Sequence, residues 1–551
     1  MLHALAAAAV LAAAQPDPAA AGETPAQGVI AYEPAFFAAA RPGTAMDMIS
    51  RVPGFAFDGG DSVRGFEGAA GNVLVDGKRP ITKTDDLEEV LRRIPASAVE
   101  RLELIRGGAP GIDMQGKPVI VNVVRKAGGG FRGLVAVANN HAYDGRNSPA
   151  VRLEASGGRE GRAWEASFRM AAPIDDGAGE GPHVRTDATG RETYRSAVDA
   201  DGNGDFWTAT GAYETPLLGG SLRINGRAMQ DLYDYDEIAL VSLPAPDREI
   251  GHDGVDKREQ ELGLRFARDL GPSTNLELIG LFQRGEQIIG STFATPAYDE
   301  AFTLDRSTSE SILRGVVSRR FSENLSVEAG AEGALNVLDS RTGYRQLGVP
   351  VALPAANVEV RERRGEVFLK TVWRPAPTWT VDAGLRFEGS NVTSDGDVSL
   401  EKTLYFAKPR VSLTWAPDAR TQLRGRIERV VGQLDFDDFV ADSSVSTGVV
   451  TAGNPNLEPQ SAWVVEAALE RRFWDMGAVV ATVRHSEITD VVDRAPVFAP
   501  TGVFDAPANI GEGTKDELIL NVTLPFDRLG LRGAQLQAEG TWRRSEVTDP
   551  T

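Results

Sequence analysis

The chain has 551 residues, is 42% apolar and 25% charged, carries a formal net charge of −20 and contains no cysteine. That length exceeds one ordinary soluble domain, and the acidity speaks against nucleic acid as a partner, because phosphate binding wants a basic face. Without cysteine there is no disulfide or thiolate metal site, and after the first residues no run reaches the ~18 apolar residues of a spanning helix.

Met1-Leu2-His3 precedes an Ala/Leu/Val run to Ala14 and a Pro/Ala segment to Ala21. An apolar run followed by small residues predicts a signal peptide over residues 1–21, although the basic start is missing. Residues 22–43, rich in Gly, Pro and Ala and without period, read as a flexible arm. Residues 44–127 read as a small α/β unit. Thr44 caps a helix from Ala45 to Arg51, which Pro53-Gly54 ends. Phe55-Ala56-Phe57 and Val73-Leu74-Val75 are short strands, and Asp76-Gly77 is a dipeptide that a positive-φ turn prefers. Asp85 and Glu88 fit a capping box before the stripe Leu87, Val90, Leu91, Ile94, closed by Pro95. Ser97 starts one further helical turn. The strands Arg101 to Ile105 and Val119 to Arg125 complete the unit.

From Phe131 onward the helical signal gives way to segments of about nine residues in which apolar and polar residues alternate. Examples are Trp164 to Met170, Leu325 to Gly330, Trp379 to Phe387 and Gln535 to Trp542. One face is apolar or aromatic, and the other is Glu, Arg, Asp, Ser and Gly. In a membrane barrel these become the lipid face and the lumen face. Short connections such as Gly271 to Thr274, Ser322 to Asn324, Arg374 to Pro377, Ala416 to Ala419 and Trp474 to Met476 alternate with long ones. The long ones lie near 172–205, 231–257, 284–310, 337–362, 388–407, 431–461 and 486–515. Phe321, Trp373, Trp379, Trp415, Phe473 and Trp474 sit beside short turns, where an interfacial aromatic girdle belongs. A soluble sandwich or propeller fits the alternation less well, since no fixed repeat period is present. The predicted fold is therefore mainly β: a large antiparallel transmembrane β-barrel over residues 131–551 behind an N-terminal α/β domain.

The pieces Met48-Ile49-Ser50-Arg51-Val52-Pro53-Gly54, Val63-Arg64-Gly65-Phe66, Asn72 to Pro80 and Ile94 to Gly108, in this order, resemble the plug of TonB-dependent outer-membrane receptors. Gly453 to Ser461 looks like the loop leading into a strand in barrels of that family, and the resemblance extends along essentially the whole chain. The stretch Pro110 to Pro118 departs from the usual end of the plug, which points to a divergent subfamily. About seventeen strands are counted where twenty-two are expected of a plugged transporter. The chain, ending Asp549-Pro550-Thr551, is therefore read as C-terminally incomplete.

The resemblance implies a receptor in the outer membrane of a Gram-negative bacterium. It would take up a large scarce nutrient with energy delivered by the TonB protein, and a ferric siderophore is the commonest family choice. The plug, residues 44–127, would fill the lumen. Arg64 and Arg106, each followed by Gly, become candidates for plug-to-barrel contacts. Gln27-Gly28-Val29-Ile30-Ala31-Tyr32 is the candidate coupling segment, because strand addition to TonB needs an extended backbone with modest side chains. Its partners would be TonB, outer-membrane lipid and the nutrient.

Asp199, Asp201, Asn203 and Asp205 have the early spacing of a calcium loop, but position twelve is Thr210 instead of Glu, so they form only a weak metal candidate. No cofactor is expected. No enzymatic motif occurs: the five histidines are scattered, and no nucleophile elbow, His-Glu-x-x-His or phosphate loop is present. The competing readings are a passive substrate-specific porin, which would lack a plug, and a secreted soluble β-rich protein, which would present polar outward faces.

Overall fold

A computed structural model of the chain describes residues 29–60, 71–80, 82–106, 117, 119–126, 130–175, 177–397, 399–444, 449–474, 476–499, 502–531 and 534–548. The predicted signal peptide lies outside the described residues.

The N-terminal unit is a four-stranded sheet with short helices. Its strands are β1 (Val29–Tyr32), β2 (Val73–Val75), β3 (Val99–Arg106) and β4 (Val119–Arg125), in the order β1-β3-β4-β2. β1 and β3 are antiparallel, as are β3 and β4, while β2 runs parallel to β4. The helices are α1 (Pro34–Phe37), α2 (Ala45–Ile49) and α3 (Leu87–Arg92). Thr44 caps α2 in a full capping box with Asp47. α3 is capped by Asp86, one residue after the predicted Asp85, whose carboxylate instead pairs with Arg93. At Asp76-Gly77 both residues have positive φ, 51° and 75°, as the turn chemistry requires. One core joins the pieces: Met48 and Ile49 of α2, Leu87 and Leu91 of α3, and Leu102, Leu104, Val121 and Val123 of the sheet.

Two sequence expectations change here. Phe55-Ala56-Phe57 is not a strand; the segment is held as a loop by the Asn72 side chain, which accepts from Asp58 N and donates to Ala56 O. Residues 29–40 do not run free as part of an arm. Val29 to Tyr32 pair with β3, and Tyr32 and Phe37 are buried in the plug core. The pattern is too short to read alone, and it is the apolar edge of β3 that recruits it.

The wall follows in chain order: β5 (Arg132–His141), β6 (Asn147–Arg159), β7 (Arg162–Ala171), β8 (Glu180–Thr186), β9 (Glu192–Leu217), β10 (Gly220–Leu243), β11 (Asp247–Asp269), β12 (Thr274–Ala294), β13 (Asp299–Ser322), β14 (Leu325–Gln346), β15 (Val349–Pro350), β16 (Asn357–Ala376), β17 (Trp379–Gly396), β18 (Leu400–Asp418), β19 (Thr421–Val431), β22 (Ser461–Phe473), β23 (Gly477–Thr489), β26 (Gly513–Pro525) and β27 (Gln535–Val547). A separate small sheet is made by β20 (Asp442–Ser444), β21 (Val449–Thr451), β24 (Val492–Ala499) and β25 (Gly502–Asn509). The wall strands follow one another antiparallel in a barrel order. Setting aside the short companions β8 and β15, seventeen of the nineteen are long, as the alternation predicts. The order closes from β27 to β5, yet among the described residues no residue-by-residue register joins that pair, and both strands are exposed along nearly their whole length.

The predicted short turns all fall at one end of the wall, here the short-turn end. At the other end the predicted long loops are largely strand. The ladder of β10 and β11 runs unbroken from Ser221↔Ala267 to Val241↔Asp247, so most of 231–257 is a hairpin. Above a bilayer both faces of a hairpin meet water. The apolar face that marks a strand in the sequence is lost there, while the backbone ladder continues.

The outward face is apolar, with Leu262, Phe282, Leu313, Val367, Leu385 and Phe387 exposed. Trp379 and Trp415 face each other across β17 and β18 at the short-turn end, stacked with centroids 5.7 Å apart. The α/β unit lies inside the lumen as a plug, joined to the wall by contacts from β9, β11, β13, β22 and β26.

Leu102→Ala removes a fully buried side chain from the plug core. The expected cost is about 2–5 kcal/mol of plug stability. Hydrogen exchange in β3 and β4 should accelerate while exchange in the wall strands stays unchanged.

Candidate functional site

β22 shows how the wall presents charge to the plug. Trp463, Val465 and Leu469 point outward and are exposed, while Val464, Glu466, Ala468, Glu470 and Arg472 point into the lumen and are buried. The strand period of two sorts these residues without any loop. Glu470, 0% exposed, receives three guanidinium groups. Arg106 Nη1, at the end of β3, donates to its Oε1 at 2.6 Å, Arg472 Nε donates to the same oxygen at 2.8 Å, and Arg424 Nη1 reaches Oε2 at 3.3 Å. Arg472 goes further into the plug, donating to the Tyr32 hydroxyl at 2.9 Å and to Pro53 O at 3.0 Å. One wall arginine thus touches the plug's first strand and the carboxylate that holds its third. Burial lowers the Arg106 pKa from the ordinary guanidinium value; Glu470 opposes that shift and Arg472 adds to it.

A second junction holds the plug apex. The backbone N–H groups of Lys83 and Thr84 both donate to Glu261 Oε2 at 2.9 Å, and the Lys83 ammonium pairs with Glu310 at 2.6 Å, both side chains almost fully buried. Burial pushes the Lys83 pKa down, against Glu310, which raises it. Lys78 with Glu214 at 3.2 Å and Arg125 with Glu165 at 3.7 Å add contacts nearer the β5–β10 wall. Around the wall itself the lumen charges alternate in sign: Arg314 and Arg364 share Glu332, Lys408 bridges Glu366 and Glu388, and Arg426 and Arg484 share Glu466.

The long-hairpin end is closed differently. The 432–460 connection between β19 and β22 folds inward. Leu434, Phe436, Phe439, Val440, Ala441 and Leu457 pack with Leu353 and Ala355 of the 347–356 connection against Phe302, Leu304, Leu338, Val358, Val360 and Val392 of the wall. Thr342 Oγ1 donates to Ala441 O at 3.1 Å, and Lys402 Nζ donates to Asn456 O at 2.5 Å. Gly453 lies so close to Phe439 that a Cβ would sit 2.2 Å from its carbonyl oxygen, so only glycine fits. This lid carries Asp435, Asp437 and Asp438. Partial burial pushes the Asp438 carboxyl up to about 6, with Asp435 and Asp437 adding and Arg494 opposing.

A family model described as TonB dependent receptor-like, beta-barrel matches residues 150–548. The chain belongs to the TonB-dependent receptors. Its fold is similar to three solved structures. The copper transporter OprC is 14% identical, with TM-score 0.55, covering 94% of this chain and 80% of that one. The ferric-catecholate import receptor Fiu from K12 E. coli is 11% identical, with TM-score 0.55, covering 98% and 84%. The pyoverdine receptor FpvA from Pseudomonas aeruginosa PAO1, bound to pyoverdine, is 11% identical, with TM-score 0.56, covering 95% and 78%. No curated protein matches the sequence. At these identities the likeness establishes the fold of a plugged TonB-dependent receptor.

Of the residues singled out in the sequence, Arg106 sits at the Glu470 junction. Arg64, Gln27 and Gly28 lie outside the described residues. Val29, Ile30, Ala31 and Tyr32 form β1, paired with Ile105, Leu104, Glu103 and Leu102. Asp199, Asp201, Asn203 and Asp205 are not on a loop. They occupy alternate positions of β9 opposite β10, so their side chains run along one face at strand spacing, about 7 Å between neighbours, instead of converging. Asp201 pairs with Arg146, and among the described residues no acidic or histidine group clusters as a metal site. Sequence reasoning missed Tyr32 as a contact, Lys83, Glu261, Glu310, Glu470 and Arg472. The available signal was parity: acids in phase with the inward positions of an alternating strand.

Glu470→Ala leaves Arg106, Arg424 and Arg472 buried without their shared carboxylate, at an expected cost of about 3–5 kcal/mol. Hydrogen exchange in β1 and β3 should rise well above wild type, and Arg106→Ala in the same background should add little, since the two act as one unit. Equal, additive effects would contradict the shared junction.

A raised acid pKa means that the docked lid holds the Asp438 proton more tightly than an undocked one. Its contribution is complete below about pH 4 and is lost as pH rises through about 6. Protease cleavage within 432–460 should therefore be slower at pH 5 than at pH 7.5, and Asp438→Asn should flatten that difference.

Proposed function

We propose that this protein is an outer-membrane receptor of a Gram-negative bacterium that takes up a large scarce nutrient with energy supplied through TonB. The observation that carries the reading is the position of β1. It is four residues long and lies at the edge of the plug sheet, tied by its ladder to β3, by the hydrogen bond from Arg472 to Tyr32 and by the packing of Tyr32 in the plug core. An edge strand is a ready template for strand exchange. A partner that withdraws β1 exposes β3 and removes one of the two bonds that Arg472 makes to the plug, leaving the one to Pro53 O, which loosens the Glu470 junction that holds Arg106. The coupling segment is accordingly assigned to residues 27–32. Coupling requires it to leave the sheet, not merely to extend from it.

A filled lumen supports this reading over the passive porin, because plug and lid occupy the path that a passive solute would take. Among the similar proteins Fiu is a ferric-catecholate import receptor and FpvA binds pyoverdine, which makes an iron chelate one class to test.

The test is uptake and growth on a panel of scarce nutrients, comparing the gene with its deletion, with residues 27–32 removed and with Tyr32→Phe. Removal of the segment should abolish the same uptake as deletion. Tyr32→Phe loses only the Arg472 bond and should retain uptake with faster exchange in β1. Uptake that survives removal of 27–32 would refute the assigned segment.

A further inference from the structure

Between the lid, the plug apex and the inner faces of β11 to β14 lies a cavity of about 360 Å³. That is the size range of small-ligand sites, about 300–1,000 Å³. Three amide side chains line it: Gln283 of β12, Asn336 of β14 and Gln433 of the lid. Each keeps its side-chain oxygen buried with no hydrogen-bond partner. Two of the orientations are fixed by the other half of the amide. Gln283 Nε2 donates to Glu310 at 2.7 Å and Asn336 Nδ2 donates to Glu362 at 2.9 Å, and a carboxylate can only accept, so the carbonyl oxygens cannot exchange places with the nitrogens. Asn336 is only 2% exposed. A buried acceptor without a donor costs roughly 1–3 kcal/mol, and three such oxygens belong to side chains that line this one cavity.

Most of the charges around the cavity are already matched, and the exception is the lid carboxylate Asp435, which lines the cavity and accepts from Asp437 N. Lys83 is held by Glu310, Arg227 and Lys257 by Glu259, and Arg306 by Asp437. An anion entering here meets cations already engaged by carboxylates, and meets the Asp435 carboxylate as well. What is missing is neutral donors. Leu338 and Phe436 give the same cavity apolar surface, the combination that accepts the C–H face of a ring while its hydroxyls meet the amides.

We infer that this cavity is the inner binding site of the receptor and takes an uncharged, hydroxyl-rich ligand or ligand portion, a saccharide or similar polyol. The inference rests on the uptake reading above and sets a neutral ligand against the iron chelate named there. The nutrient, or the part of it that reaches the plug, is recognised through O–H donors and not through the negative charge of a chelate. The ligand contacts Gln433 of the lid and the wall amides together, so its arrival is registered where the lid meets the plug apex at Thr84.

The experiment uses the full chain in detergent on an array of neutral, amine-bearing and acidic glycans, with a ferric tris-catecholate as the anionic comparison. Wild type should retain neutral glycans in preference to acidic ones. Gln433→Met and Asn336→Leu, each removing one carbonyl acceptor, should weaken that binding about tenfold. Heat-modifiable migration and hydrogen exchange of the lid report whether each variant is folded; for a variant that is not, the other variant decides. Retention of the acidic glycans or the catecholate without any neutral glycan would overturn the inference, as would neutral binding that neither folded variant weakens. Binding in detergent needs no energy coupling. Its failure therefore leaves the uptake reading standing, and failure of the 27–32 deletion test leaves this site standing.

Discussion

Successive side chains of a strand point to opposite faces, and in a wall that separates lipid from a lumen this period of two leaves no position neutral. Every residue of the spanning ladder is committed to one environment or the other. On β22, Trp463, Val465 and Leu469 are committed to the outside and Glu466, Glu470 and Arg472 to the inside. A register slip of one residue would place three charges in lipid and three apolar side chains in the lumen. The wall ladders, most of them ten pairs long or more, are held in register by that penalty as much as by their hydrogen bonds.

The inward charges cannot sit in a low-dielectric lumen singly, so they are shared. Glu332 serves two arginines, Glu466 two and Glu470 three. A shared buried carboxylate is a poor source of net stability, because desolvation offsets much of the attraction, but it makes its ligands interdependent. At Glu470 the interdependent groups belong to both bodies, Arg106 to the plug and Arg424 and Arg472 to the wall. The junction is tight when complete and fails as a unit when one member leaves. A fused apolar interface of equal area would have no such threshold. The two ends of the lumen differ in this respect: the lid meets the wall through an apolar core that includes Phe436, Phe439 and Leu457, and the plug meets it through charge.

Much of this was legible in the sequence because the physics is local. The alternation of Trp379 to Phe387, the capping of α2 by Thr44 and the positive-φ turn at Asp76-Gly77 each need only neighbouring residues. So do the short turns, whose prolines, glycines and polar residues punctuate the strands. The illegible parts are those decided by partners far away in the chain. Val29 to Tyr32 is a strand because β3, some seventy residues later, has an apolar edge. Asp199 to Asp205 resembles a calcium loop until β10 pairs with it and spreads the carboxylates along a straight line. Glu470 is one acid among 78 Asp and Glu residues, and only the lumen geometry brings Arg106 to it.

The lid shows why the last step toward substrate resisted sequence reasoning. Its apolar residues occupy a segment of 432–460 that looks like an exposed loop, yet they are buried because the wall behind them turns apolar inside, at Phe302, Leu338, Val358 and Val360. Inward apolar residues at the long-hairpin end make those strands apolar at positions that, lower in the wall, carry Glu310, Arg314 and Glu332. The same parity therefore changes chemistry along one strand, from charge opposite the plug to hydrocarbon opposite the lid. Gln283 and Asn336 sit at the boundary between the two regimes, Gln433 meets them from the lid, and Thr84 comes up from the plug. A ligand at this boundary touches both closures of the lumen at once, and a site with neither full charge nor full hydrocarbon is suited to a molecule whose polarity lies in uncharged donors.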